Sequence, residues 1–150
     1  MNVEEFRSKI KADSRLIVDQ KEFKVKEVVK FRFDDGSFYI KCFLNDEYVF
    51  ADDINENSFI LVKEVKTLFK PPFPDRIVFN GKKFNFLYRA RATAEEIWGE
   101  EIFKKGDTEQ FWDFKAADGS YLSLGSNERT NRRIDDYGNI VLSSNVTIKE

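Results

Sequence analysis

The sequence predicts a mainly β, antiparallel fold in which two related β-units form a sandwich or a barrel, with one short N-terminal helix. Three observations lead to this prediction. Apolar and polar residues alternate with a period of two in many short runs. Turn signals separate these runs at short intervals. Aromatic residues, which favour strands, make up 15% of the chain and include 16 Phe.

A short amphipathic helix is predicted over about residues 3–11. Asn2 can cap its first turn, and Glu5 stands three residues later, as in a capping box. Phe6 and Ile10 lie one turn apart on an apolar face. We expect this face to pack against the strands that follow.

Strands are predicted from Leu16 onward. Their spacing, with polar turns between them, is typical of antiparallel all-β proteins. The predicted strands of the first half cover residues 16–18, 23–28, 29–33, 38–44, 48–50 and 59–62. The turn Asp34-Asp35-Gly36-Ser37 predicts a hairpin, because Asp-Gly tolerates the positive φ that tight turns need.

All three prolines of the chain lie in residues 69–75. Because proline cannot donate a backbone hydrogen bond to a sheet, this segment is predicted to be a stiff connector. A Pro-rich recognition motif is the alternative. Beyond it, Asn80-Gly81 favours a type I′ turn, so we predict a hairpin between strands at 77–79 and 82–88.

The stretch 109–125 is predicted to form another hairpin, with its turn at residues 117–120. Before the turn, Phe111 and Asp113 share one face of the strand and Trp112 lies on the other, as the period of two requires. The Asp-Gly-Ser sequence of this turn also occurs in the first half of the chain.

Residues 89–110 hold no steady period. A helix could open near residue 93, but Gly99 would interrupt it, so we predict extended structure with a turn near Gly99. Residues 128–137 are polar and are predicted to be a loop. Residues 139–142 supply a last strand, to which residues 146–148 can add an edge.

The two halves of the chain share sequence patterns, which predicts an internal duplication. The matching pairs are 31–38 with 114–121, 21–25 with 82–86, and 59–61 with 140–142. We therefore predict a single domain, residues 1–150, built from a β-unit at 16–66, the connector at 69–75, and a β-unit at 76–148 with an insertion at about 89–110. The alternative is that hairpins resemble one another without a shared origin.

Composition excludes several classes of function. The chain has no histidine, which removes Ser-His and Cys-His nucleophiles and every metal site that needs histidine. A net charge of −2 gives no reason to expect nucleic acid as a partner. The single cysteine, Cys42, indicates a reducing, cytoplasmic setting. We expect no signal peptide, no membrane span and no cofactor, because their sequence patterns are missing.

The chain also shows a diffuse family pattern. The residues that carry it are strand and turn motifs at 23–25, 38–44, 48–50, 79–84, Gly99-Glu100, 111–114, 119–124, Glu128 and 137–141. With them the chain resembles, over about residues 16–142, the bacterial and archaeal domain of unknown function family 4178. It departs from the family at Asp19-Gln20, where the family has a glycine, and at Phe38, where it has a tryptophan.

The resemblance implies a mainly β domain without an established activity. Members of this family often accompany membrane-stress proteins of the phage-shock type, which implies a scaffold or adaptor role. Glu100 and Glu128, which help to carry the resemblance, are also candidate binding residues.

Acidic pairs are the candidates for catalysis or metal binding: Asp34/Asp35, Asp52/Asp53, Glu100/Glu101 and Asp135/Asp136. None has the ligand spacing of a calcium loop, and turn chemistry or loop solvation accounts for them. We therefore expect no metal site and no catalytic residue, and the sequence favours a binding module over an enzyme.

Aromatic residues of the second half are the candidates for a contact surface. The aromatics that could line such a surface, or a ligand pocket, are Trp98, Trp112, Tyr88, Tyr121 and Tyr137, although strand aromatics more often fill a core. Trp98 lies in the insertion and is the aromatic most expected on a functional surface. Asp113 is predicted to tether the inserted segment by accepting hydrogen bonds from its backbone N–H groups.

The leading hypothesis is a non-catalytic protein-interaction or adaptor module that uses the second-half hairpin and the insertion at 89–110. One alternative is a β-barrel that binds a small apolar or aromatic ligand in its mouth. The other is a carboxylate-dependent hydrolase, which would need two acids meeting in a cleft. The sequence leaves the oligomeric state open.

Overall fold

The computed structural model describes residues 1–53, 55–99 and 102–149. Within these ranges the chain forms one α-helix, α1 (Val3–Lys9), two short 3-10 helices and eleven strands. The strands are β1 (Arg15–Val18), β2 (Lys21–Phe33), β3 (Phe38–Leu44), β4 (Tyr48–Asp53), β5 (Ser58–Val65), β6 (Arg76–Phe79), β7 (Lys82–Gly99), β8 (Thr108–Ala116), β9 (Ser120–Asn127), β10 (Arg132–Leu142) and β11 (Val146–Lys149).

Eight of the described strands close into an antiparallel barrel. Their order around the ring is β2, β3, β4, β5, β10, β9, β8 and β7, and β7 pairs with β2 to complete it. Three strands extend the sheet outside the ring: β1 pairs with β2 and β11, and β6 pairs with β7. Of the two predicted arrangements, sandwich and barrel, the structure shows the barrel.

The three predicted hairpins are confirmed, and their turns follow the expected chemistry. Asn80 and Gly81, between β6 and β7, have φ values of 52° and 72°, as a type I′ turn requires. In the β2–β3 turn the Asp35 carboxylate accepts a hydrogen bond from the Ser37 amide at 2.9 Å. The β8–β9 turn repeats this contact between Asp118 and the Ser120 amide, also at 2.9 Å.

Strand β7 covers the first half of the stretch 89–110, which has no steady sequence period. The chain is extended as predicted, and this 18-residue strand pairs with β6 at its start and with β2 at its end. It ends at Gly99, whose φ is 122° and where a Cβ would collide with the backbone of Lys26. The first part of β7 therefore forms a hairpin with β6 outside the ring, and its last part pairs with β2 to close the barrel.

Two sequence predictions need correction. The helix ends at Lys9, because Ile10 already has extended backbone angles. The predicted loop at 128–137 is wrong from Arg132 onward, where β10 begins. Every second residue of β10 points into the barrel, whose interior is partly polar. One of these residues is Asp136, where the alternating strand pattern would require an apolar residue, so the pattern did not predict the strand.

Apolar side chains cover the outer surface of the barrel on two sides. On the first, Val3 and Phe6 of α1 and side chains of β1 and β11 pack against strands of the first half and β10. On the second, Ile77 of β6 packs with Phe84 and Phe114, with help from Phe73 in the segment that joins β5 to β6. That segment includes residues 69–75, which contain no strand. The internal duplication stays a prediction.

Candidate functional site

The barrel interior carries charged and hydroxyl-bearing side chains. Alternation along each strand points every second side chain inward. Across the sheet, Asp113 on β8 lies opposite Ser123 on β9, which lies opposite Asp136 on β10. The polar side chains that share this interior are Tyr39, Lys41, Tyr88, Glu109, Asp113, Tyr121, Ser123 and Asp136.

An ion pair crosses the interior from Lys41 on β3 to Glu109 on β8, two strands that are not neighbours in the ring. The Lys41 ammonium donates to Glu109 Oε1 at 2.9 Å, and the Tyr39 hydroxyl donates to Oε2 at 3.1 Å. Burial would lower the pKa of Lys41, but the charges of Glu109 and Asp136 outweigh it and raise this pKa. The lysine is therefore charged and neutralises Glu109.

Asp113 is hydrogen-bonded by two hydroxyl groups. Its Oδ2 accepts from the Tyr121 hydroxyl at 2.5 Å, and its Oδ1 accepts from the Ser123 hydroxyl at 2.6 Å. The Tyr121 oxygen lies 3.2 Å from the oxygen of Tyr88. Burial raises the pKa of Asp113 to about 6, while the hydrogen bonds from Ser123 and Tyr121 act in the opposite direction. This carboxyl is a satisfied structural group.

Asp136 lacks such partners. It is 5% exposed, and its Oδ1 has no hydrogen-bond donor within the described part of the chain. Burial raises the pKa of Asp136 to about 7; the Lys41 charge lowers it and the Glu109 charge raises it further. A buried carboxyl oxygen without a donor is costly, and native proteins contain few of them.

Asp136 lines a pocket of about 210 Å³ at one mouth of the barrel. Residues from the end of β3, the start of β4 and the segment after β7 surround it. Its apolar lining residues include Phe43, Val49, Phe103 and Ile134. Arg132 and Glu64, whose ion pair of 3.0 Å is solvent-exposed, also line the pocket. Lys26 and Glu47 line it as well, and both are exposed. The pocket thus combines apolar side chains and exposed charged groups with one buried carboxyl whose Oδ1 has no donor among the described residues.

Glu27 binds the backbone of Ile102 and Phe103, two residues that line the pocket. The carboxylate of this buried residue accepts hydrogen bonds from the backbone N–H of Ile102 at 2.5 Å and of Phe103 at 3.4 Å. The Phe103 side chain is 1% exposed and packs edge-on against Phe31. The sequence prediction gave this tethering role to Asp113, which instead bonds side-chain hydroxyls, so that prediction is wrong.

The predicted binding residues lie in different parts of the molecule. Trp98, on β7 opposite Val28, is 46% exposed, whereas Trp112 is half-buried in the outer core against Phe73. Asp113 and Tyr121 meet in the barrel interior. Glu128 forms an ion pair of 2.8 Å with Arg91 on the surface. Glu100 lies outside the described residues. Of the predicted binding residues that the structure describes, it brings Asp113 and Tyr121 into contact.

The predicted acidic pairs also lie in different parts of the molecule. Asp34 and Asp35 lie in the exposed β2–β3 turn. Asp52 is buried and paired with Arg7 at 2.7 Å, while Asp53 is exposed. Asp135 pairs with Arg133 at 2.9 Å on the outer side of β10, which leaves Asp136 inside. Glu100 and Glu101 lie outside the described residues.

The described residues contain neither a metal-binding cluster nor a helix that could span a membrane. No group of three or more His, Cys, Asp or Glu side chains in residues 1–53, 55–99 and 102–149 is placed to hold a metal ion. Over the same ranges, no helix has the length and apolar character that crossing a bilayer requires.

Comparison with family models, with curated proteins and with solved structures found no match to this chain. The resemblance to domain of unknown function family 4178 therefore stays a prediction.

Sequence reasoning missed the cross-barrel pair of Lys41 and Glu109. A signal for Lys41 was present, because it lies between Ile40 and Cys42 in a strongly apolar run, where a lysine needs a buried partner. Nothing in the sequence identifies Glu109 as that partner, since β3 and β8 meet only across the closed barrel. Asp136 was named only as half of an acidic pair.

Proposed function

We propose that the protein is a ligand-binding β-barrel that takes up a small molecule in the pocket beside Asp136. The observation that carries this proposal is the unsatisfied Oδ1 of a 95%-buried carboxyl on a pocket of about 210 Å³. Small-molecule sites commonly combine apolar walls with a few placed polar groups, and barrel mouths often house them. A cytoplasmic location, inferred from the single cysteine, belongs to this proposal.

The pocket argues for a small ligand. Its volume lies below the roughly 300–1,000 Å³ that is common for sites of drug-sized molecules. With about 30 Å³ for each water in the liquid, it has room for about six to eight non-hydrogen atoms. A single substituted ring or a short branched chain is therefore a suitable size.

The test is a methyl NMR titration of the full chain with toluene and with benzyl alcohol. We expect shifts at the methyl groups of Val49, Ile102 and Ile134, because these side chains line the pocket. The methyl group of Ile77, in the outer core, serves as the internal control. Ile134→Trp, which fills the pocket, should abolish the shifts. Shifts that spread over the outer core, or none with any small aromatic probe, would contradict the proposal.

A second candidate function is binding of another protein near Trp98, the hypothesis that the sequence favours. Its support is exposure: Trp98 is 46% and Ile102 44% exposed, and large exposed apolar side chains are common in interfaces. Trp98→Ala should leave the melting temperature within about 4 °C of wild type. Trp112→Ala, which removes contacts with Phe73, should lower it more.

Affinity capture from the native cell then separates binding from stability. A genuine partner should be retained by the wild type and by Glu4→Gln, an exposed substitution on α1, and lost with Trp98→Ala. Equal unfolding by both tryptophan variants would remove the reason to place an interface at Trp98.

A further inference from the structure

We propose that the ligand of this pocket is a small organic cation, with a primary ammonium group on an apolar body. The inference rests on the proposed function and names its class of ligand. Four features of the pocket and its surroundings support it: an acceptor without a donor, an excess of buried carboxyls, aromatic side chains that already face a cation, and too few ligands for a metal ion.

The first feature is the geometry of Asp136. Its Oδ1 is buried, lines the pocket and accepts no hydrogen bond from the described residues. An ammonium group offers three N–H donors, and its hydrogen bond to a carboxylate is about twice as strong as one between neutral groups. A ligand ammonium would therefore supply both the missing donor and the missing countercharge.

The second feature is the charge balance inside the barrel. Among the polar interior side chains named above, all from described residues, three are carboxyls, those of Glu109, Asp113 and Asp136, and one is an ammonium, that of Lys41. Lys41 lies 2.9 Å from Glu109, and that pair neutralises itself. Asp113 has hydroxyl donors but forms no ion pair with any described residue. The interior is thus short of positive charge, which favours a cationic ligand and disfavours an anionic one.

The third feature is the lining of the pocket. The rings of Phe43 and Phe103 lie on it, with their centroids 5.8 Å apart. The Lys41 ammonium already lies 5.5 Å from the centroid of Phe43 and 5.6 Å from that of Phe103. Aromatic faces attract cations at such distances. Val49 and Ile134 supply the aliphatic surface that an apolar body would contact.

The fourth feature separates an organic cation from a metal ion. A hard divalent cation takes about six to eight oxygen ligands, and Asp136 offers one carboxyl. Two other acids line the pocket: Glu64 is paired with Arg132 at 3.0 Å, and Glu47 is exposed to solvent. No metal-holding group of acids is present among the described residues. An ammonium needs only one carboxylate and the aromatic faces.

The experiment compares two probes of nearly equal shape, benzylamine and benzyl alcohol, by NMR titration of the full chain at about pH 8. We expect benzylamine to bind with a Kd about tenfold or more below that of benzyl alcohol, because only the amine carries the charge. The reporters are the methyl groups of Val49 and Ile134. This comparison uses the wild type alone, so it does not depend on the folding of any variant.

Asp136→Asn sharpens the comparison, because it keeps the shape of the side chain and removes its charge. The variant should bind benzylamine about tenfold or more weakly and leave the Kd of benzyl alcohol within about threefold. Glu4→Gln, the charge-matched control at an exposed position of α1, should change neither value.

The outcomes distinguish this inference from the proposed function. If benzyl alcohol binds the pocket as tightly as benzylamine, the ligand class is wrong and the ligand-binding barrel stands. If benzylamine binds with shifts at Ile77 instead of Val49 and Ile134, or if Asp136→Asn does not weaken it, the site is wrong. If neither probe nor toluene shifts any pocket methyl group, the proposed function itself fails.

Discussion

Asp113 and Asp136 lie on either side of Ser123 inside one barrel, and their surroundings differ sharply. Asp113 accepts hydrogen bonds from the hydroxyls of Tyr121 and Ser123. Asp136 Oδ1 accepts none from the described residues and lines a pocket. Burial raises both pKa values, to about 6 for Asp113 and about 7 for Asp136. A buried carboxyl is therefore not by itself a sign of a binding site. What distinguishes Asp136 is that its Oδ1 lacks a hydrogen-bond donor among the described residues.

Disruption of the ion pair between Lys41 and Glu109 should lower the free energy of unfolding the most. Lys41→Met leaves the buried Glu109 carboxylate without its countercharge, which we expect to destabilise the chain by about 3–5 kcal/mol. Chemical denaturation followed by fluorescence measures the change. Lys115→Met, at an exposed position near the end of β8, is the control and should cost far less. Equal costs for the two variants would show that the cross-barrel pair is not structural.

Removal of a donor from the satisfied carboxyl should have the next largest effect. Tyr121→Phe deletes the hydroxyl that bonds Asp113 at 2.5 Å, and the free energy of unfolding should fall by about 1–3 kcal/mol. Tyr48→Phe is the matched control, because the Tyr48 hydroxyl makes no hydrogen bond within the described residues. Unchanged stability in Tyr121→Phe would mean that Asp113 is no better satisfied than Asp136.

Substitution of Asp136, the carboxyl whose Oδ1 has no donor among the described residues, should raise the stability of the protein instead of lowering it. Asp136→Asn removes a buried charge without a donor, so the variant should be more stable than wild type by on the order of 1–2 kcal/mol near pH 8. Thermal and chemical unfolding at that pH test this expectation. A loss of stability like that of Tyr121→Phe would show that Asp136 has a protein partner after all.

The pH dependence of this difference follows from the raised pKa. The native carboxyl of Asp136 holds its proton up to about pH 7, while in the unfolded chain it releases the proton near 3.8. The native state therefore binds more protons between these values, and the stability of wild type falls as the pH rises through this window. Asp136→Asn should lose this contribution to the slope, and unfolding at several pH values measures it. Parallel curves for the two proteins would contradict the assignment.

The smallest effect is expected outside the barrel. Glu128 and Arg91 form a two-point ion pair at 2.8 and 2.9 Å, and both side chains are well exposed to solvent. Glu128→Gln should change the free energy of unfolding by less than about 1 kcal/mol, because exposed pairs contribute little. Denaturation in low and high salt checks this. A larger cost would give Glu128 a structural role that its exposure does not indicate.

The sequence predicted the local part of this fold better than the long-range part. Hairpin turns such as Asn80-Gly81 depend on neighbouring residues, so the pattern contains enough information to place them. Strand β10 was missed before residue 139 because its inward-facing Asp136 interrupts the apolar alternation. The partnership of Lys41 with Glu109 depends on which strands face each other after closure, and no local pattern encodes that.

The candidate site was predicted only in fragments. The sequence predicts Asp113 and Tyr121 as binding residues, but they bond each other and leave no free group for a ligand at Asp113 Oδ2. Asp136 was named as a member of an acidic pair, but its neighbour Asp135 points outward to Arg133. A period of two places these two carboxyls on opposite faces, but the sequence alone does not say which face is the interior.

The most direct test of the account is the pKa of the Asp136 carboxyl in the free protein, followed by ¹³C NMR with Asp136→Asn to assign the signal. The account predicts a value of about 7, and it predicts that saturating benzylamine lowers this value, because a bound ammonium favours the charged carboxylate. A value near the ordinary 3.8, unchanged by benzylamine, would contradict it.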